Sequence, residues 1–177
     1  MGALALALAL VLALAGARTT FAQLPPLDST QAHYRDRLIG LRDTVRSVGA
    51  AIVVFRRDLN TAGPETVVAK AGGLIRACEL ARAALLEAAP ELNARAAPRG
   101  AGGAADTIQA SARRLARSLQ DLCIAGLATA GPGVRADSIR AWGPYRTAQL
   151  RLRLERFHSD LHQFAGAIRF KLPPASR

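Results

Sequence analysis

Three histidines and two cysteines are the residues of this 177-residue chain whose types best suit metal binding or covalent cross-linking. His158 and His162 are four residues apart, so on a helix they share one face and could clamp a divalent ion such as Zn²⁺, Cu²⁺ or Ni²⁺. His33 lies near the start of the first apolar segment and is expected at the same end of the molecule, with Asp36 and Asp160 as possible carboxylate partners. All three histidines fall off the apolar seams, toward solvent, and an i, i+4 pair arises often by chance. The plainer expectation is three solvated or partly packed histidines and no resident cofactor beyond a weak divalent metal.

Haem ligation by these histidines is the related alternative. The chain has no C-x-x-C-H for covalent attachment, and its single methionine is Met1, which removes a Met/His axial pair. Bis-His ligation would need buried histidines, which the register argues against. Ser159, Asp160 and His162 contain the residue types of a hydrolytic triad, but they crowd one exposed stretch of helix with no nucleophile elbow. Gly100-Ala101-Gly102-Gly103 lacks the lysine and the preceding strand of a phosphate-binding loop. No catalytic constellation stands out, so the chain is read as a non-enzyme.

Cys78 and Cys123 sit at the midpoints of two apolar periodic segments. If these segments form an antiparallel hairpin turning near residue 100, the numbers of facing residues add to about 200. Those of the two cysteines add to 201. The pair is therefore expected to close a structural disulfide, which an oxidising compartment favours. Without a C-x-x-C it is not expected to be redox-active.

Charge is the third signal. The formal charge is +11, and of 24 basic residues only Lys70 and Lys171 are lysine. With so much alanine and glycine, the arginine bias is first a matter of GC-rich bacterial composition. Its functional reading is attraction to anions. Arg35, Arg42 and Arg46 recur on one flank of the first segment; Arg146, Arg151, Arg153 and Arg156 crowd the last. If those two helices are neighbours, the arginines form one broad basic surface, suited to an anionic envelope component or an acidic protein partner. Nucleic acid is not expected, because aromatic residues make up only 5% of the chain, too few for a stacking platform. Arg151 with Glu155, and Arg117 with Asp121, read as i, i+4 surface pairs.

The compartment follows from the N-terminus. Ala3–Ala15 is an unbroken Ala/Leu/Val run, too short to span a bilayer and suited to a signal peptide, although no Lys or Arg precedes it. Cleavage is expected after Ala22, with Ala17 as the alternative, leaving a periplasmic or secreted bacterial protein without a membrane span. The domain reading is residues 1–22 as signal peptide, 23–172 as one helical bundle and 173–177 as a short basic tail.

Four periodic segments must position these residues. The first carries Tyr34, Leu38, Leu41, Val45, Val48, Ile52, Phe55 and Leu59, with Asp28 and Gln31 as a capping box. The second carries Val67, Ala71, Leu74, Cys78, Ala81, Leu85, Ala88 and Leu92. Gly72-Gly73 within it predicts either a close helix approach or a weak turn, and Pro90 predicts its end or a kink. A mobile linker is expected over 95–105. The third segment is expected to open at Asp106, capped with Gln109, and to use Ile108, Ala112, Leu115, Leu119, Leu122 and Gly126, with Cys123 beside the seam. The fourth carries Leu150, Leu154, Phe157, Leu161, Phe164 and Ile168, preceded by Trp142-Gly143-Pro144 as a kink or a new helix start. Four such segments with short breaks predict an all-α, up-down-up-down four-helix bundle with one inter-helix disulfide.

Overall fold

The computed structural model describes residues 29–95, 97, 99–128 and 136–173. The expected signal peptide, the cap residue Asp28, the helix stop at 129–133 and the tail beyond Pro173 lie outside the described residues. Within them the chain is all-helical, with four helices and no strand. Helix α1 is Ser29–Arg56, α2 is Pro64–Ala88, α3 is Gly102–Ser118 and α4 is Ala136–Ala167. Helix α3 runs on through a π-helical turn, Leu119–Ile124, into a last short turn, Ala125–Ala128.

The seams of α1 and α2 are buried as their spacing predicts, from Tyr34 to Leu59 and from Val67 to Leu92. These heptad-like rows face one another and form a single continuous core with α3 and α4. Contacts between α1 and α2 run from Tyr34 with Asn93 near one end to Arg57 with Lys70 near the other. Between α1 and α4 they run from Gln31 with Ile168 to Leu59 with Arg140. Between α3 and α4 they include Ser111 with Asp160 and Gly126 with Arg146.

Helix α3 departs from expectation at both ends. It starts at Gly102, not at Asp106, and no side chain caps it. The buried row extends back through Ala105 to Ala101, so the last part of the supposed linker belongs to the helix and its core face. Alanine is too weak an apolar signal to reveal this from sequence. Gln109 spends its amide on the Ala89 carbonyl at 2.8 Å, tying α3 to the end of α2. Beyond Leu119 the buried positions are Cys123 and Leu127, not Leu122 and Gly126. The π-helical turn supplies the reason. Its i→i+5 hydrogen bonding inserts one extra residue per turn and advances the seam by one position. Cys123 thereby faces the core, and its sulfur bonds to that of Cys78 with Cα atoms 6.5 Å apart.

Helix α4 passes through Gly143-Pro144 without a break. Pro144 removes one backbone donor, and the Thr147 hydroxyl donates to the Gly143 carbonyl at 2.8 Å. Gly143 leaves room for a neighbour. A Cβ there would lie 2.8 Å from Cζ of the buried Phe55 ring. Gly73 is the opposite case, with nothing within 4 Å of an added Cβ. The same substitution should therefore have opposite signs at the two glycines. Gly73→Ala is expected to stabilise by about 1 kcal/mol through helix propensity. Gly143→Ala is expected to destabilise by about 1–3 kcal/mol through overpacking, a loss that Phe55→Leu largely relieves. Urea unfolding of the variants measures both.

Candidate functional site

The expected histidine cluster is only partly assembled. His158 and His162 are exposed neighbours on α4, ring centroids 4.5 Å apart, on the flank that faces α1. The side chain of His33 lies outside the described residues. Neither carboxylate joins the pair. Asp36 lines a shallow cleft between α1 and α2, while Asp160 points to the α3 side and accepts a 2.6 Å hydrogen bond from Ser111. Among the described residues no three His, Cys, Asp or Glu side chains converge as a metal ligand set. A groove of about 420 Å³ beside the two rings is lined by Arg42, Arg46, Leu172 and Pro173. Partial burial, then His162, then Arg42 lower the His158 pKa below its usual 6.5. A neutral imidazole is the metal-binding form, but the guanidinium beside it repels a cation.

The arginines singled out from sequence do not form one surface. Arg42 is 6% exposed, which removes it from any docking face. Its guanidinium is held by Asp43 at 2.7 Å and by the Pro173 carbonyl, because the segment after α4 folds back over this flank of α1. Arg35 and Arg46 are exposed on α1. Arg146 is half-buried and lies over Gly126, where an added Cβ would collide with its guanidinium and approach the Asp121 carbonyl. It thus sits near the carbonyl-rich C-terminal end of α3, where a cation is favoured. Arg151 pairs with Glu155 at 2.8 Å, as the i, i+4 spacing predicts. Arg153 faces away from α1, toward α3.

Arg153 belongs to a constellation that the sequence did not disclose. An open groove of about 560 Å³ between α3 and α4 is lined by Arg114 and Arg117 from one wall and Arg153 and Arg156 from the other. Ser111, Leu115, Ser118 and Asp121 complete it, and Asp121 is contributed by the π-helical turn. Among the described residues none of these four arginines forms an ion pair, including Arg117 with Asp121. Four guanidinium groups against Asp121 give the lining a formal charge of +3, and Asp160 bonds to Ser111 at one end of the groove. From Ser111 to Asp121 it follows ten residues of helix, about 15 Å. An available signal was the spacing of Ser111, Arg114, Arg117 and Ser118, which share one flank of the Leu115 seam.

A second groove, about 470 Å³ between α1 and α4, has an apolar floor of Val45, Ile52, Val53 and Leu154. Its polar rim is Arg56, Arg151, Glu155 and His158, in which Glu155 already neutralises Arg151. No family model, curated protein or solved structure matches the chain.

The His158 environment makes a pH prediction. Its folded-state pKa lies below the unfolded value, so between 6.5 and the folded pKa the folded chain binds fewer protons than the unfolded chain. Stability therefore declines over the window from 6.5 down to the folded pKa and levels off below it. NMR titration of the imidazole C–H signals should give His158 a midpoint below 6.5, and His162→Ala should move that midpoint upward.

Proposed function

We propose that this chain is an exported, non-enzymatic helical bundle that binds polyanions bearing phosphate groups through the α3–α4 groove. The four arginines that face one another across that groove, none in an ion pair among the described residues, carry the reading. Like charges held together in this way cost free energy until an anion offsets them, and they focus the local potential on such a ligand. Guanidinium groups form bidentate hydrogen bonds with phosphate oxygens, and the Ser118 hydroxyl adds a neutral donor. The length of the groove exceeds a single phosphate and suits an extended or repeated array of them. The ligand class is then an anionic envelope component. An acidic protein partner is the less apt version, because side-chain carboxylates space their charge less densely.

The bundle this function requires runs up-down-up-down, and the end-to-end pairing of contacts along α1–α2, α1–α4 and α3–α4 supports that topology. Export and an oxidising compartment are part of the same proposal, supported by the apolar N-terminal run and the bonded cysteines. A divalent-metal role for His158 and His162 is weaker: it has two imidazoles and an adjacent guanidinium.

Calorimetric titration with inorganic tripolyphosphate tests the groove. Affinity should fall steeply with added salt. Each of Arg114→Ser, Arg117→Ser, Arg153→Ser and Arg156→Ser should weaken binding on the order of tenfold. Arg35→Ser should leave it unchanged. Binding that is indifferent to salt and to all four substitutions would refute the reading.

A further inference from the structure

Helix α4 turns an unusual face to water. Trp142, Tyr145 and Leu152 are 63%, 62% and 59% exposed, although each is large and apolar in its body. Trp142 and Tyr145 are three residues apart, and Leu152 lies two turns beyond Tyr145, so the three follow the outer side of one helix. Val53 and Val54 on α1 and Val68, Leu80 and Leu86 on α2 are also exposed, but they are small or scattered and carry no aromatic ring, which is ordinary for a protein surface. The α4 row differs in its company. Between Ile139 and Phe157 the helix carries five arginines and one carboxylate, and that carboxylate, Glu155, is neutralised by Arg151. Arg156 stands four residues beyond Leu152, and Arg153 directly follows it. Both belong to the four arginines of the α3–α4 groove.

A row of Trp, Tyr and Leu flanked by arginines is the composition of a helix that lies in a membrane interface. Tryptophan and tyrosine prefer the headgroup level, where the ring is buried and its polar edge stays hydrated. No helix of the described residues is long and apolar enough to cross a bilayer, so α4 would lie along the surface. A soluble polyanion would occupy the groove and leave Trp142, Tyr145 and Leu152 in water. An anionic bilayer satisfies both features at once, offering phosphates to the arginines and an apolar layer to the row beside them.

We propose that α4 docks flat on an anionic phospholipid surface, with Trp142, Tyr145 and Leu152 entering the headgroup region while Arg153 and Arg156 hold lipid phosphates. This rests on the reading of the α3–α4 groove as a phosphate site and names the source of those phosphates.

Trp142 is the only tryptophan, so its emission reports on this face alone, whatever the apolar Ala3–Ala15 run does. The full chain is titrated with vesicles of phosphatidylglycerol and, separately, of phosphatidylcholine, with tripolyphosphate as the soluble comparison. Phosphatidylglycerol vesicles should shift Trp142 emission to the blue and allow its quenching by brominated acyl chains. Phosphatidylcholine vesicles should do neither. Tyr145→Ser with Leu152→Ser keeps the reporter and should weaken the phosphatidylglycerol response on the order of tenfold while leaving tripolyphosphate binding unchanged. Tripolyphosphate binding with no Trp142 response to phosphatidylglycerol overturns the lipid proposal and leaves the groove intact. Vesicle sedimentation with unshifted Trp142 emission overturns the proposed orientation. Loss of both tripolyphosphate and vesicle binding overturns the groove reading, and the docking proposal with it.

Discussion

The π-helical turn at Leu119–Ile124 sets the geometry on which the rest of the molecule depends. An unbroken α-helix would continue the row of Leu115 and Leu119 to Leu122 and Gly126. The extra residue instead carries the row to Cys123 and Leu127. That shift lets Cys123 meet Cys78 and lock α2 to the distal half of the α3 segment across 45 residues of chain. A closed loop of that length stabilises by roughly 4 kcal/mol in the chain-entropy picture. A large share of the 5–15 kcal/mol typical of a domain thus passes through one cross-link. The same turn places Asp121 in the α3–α4 groove and sets Gly126 under the Arg146 guanidinium. Structural bond and candidate site share one local distortion.

The groove concentrates charge that no ion pair among the described residues neutralises. Other arginines are spent on structure. Arg37 pairs with Glu91 at 2.7 Å, Arg42 caps the returning C-terminal segment, and Arg140 donates to the carbonyls of Leu59 and Ala62 that end the α1–α2 connection. Those interactions fix loops to helices. Among the described residues Arg114, Arg117, Arg153 and Arg156 form no ion pair, and their walls are held apart by the packed seam beneath, from Leu115 to Leu154 and Phe157. Their mutual repulsion is tolerable in water because solvent and salt screen it. It is removed outright only by an anion. The exposed row on the outer side of α4 adds an apolar component to the same neighbourhood.

The parts of the fold built from large apolar residues were legible in the sequence. Every seam position of α1 and α2 is buried, and the α4 row from Leu150 to Ile168 likewise, because a Leu, Val or Phe at alternating four and three spacing has one way to leave water. Ala101 and Ala105 were not legible, since small residues occur on either face of a helix. The π-helical turn has no composition of its own and appears only as a one-residue displacement of the buried row. Placing the arginines needed knowledge of which flank meets which neighbour. Arg42 and Arg46 lie one turn apart on α1, yet only Arg42 is covered, by a segment that arrives from the far end of the chain. Arg153 was visible as a basic residue, but its partners Arg114 and Arg117 belong to a helix whose flank could not be assigned from one sequence.

The most direct test is to watch the arginine side chains themselves. In ¹⁵N-labelled protein the guanidinium Nε–H signals can be followed while inorganic tripolyphosphate is added. The signals of Arg114, Arg117, Arg153 and Arg156 should shift together and saturate at one concentration, while Arg35 stays in place. Shifts confined to Arg46 and Arg56 beside the α1–α4 grooves, with the four groove signals unmoved, would contradict the groove reading.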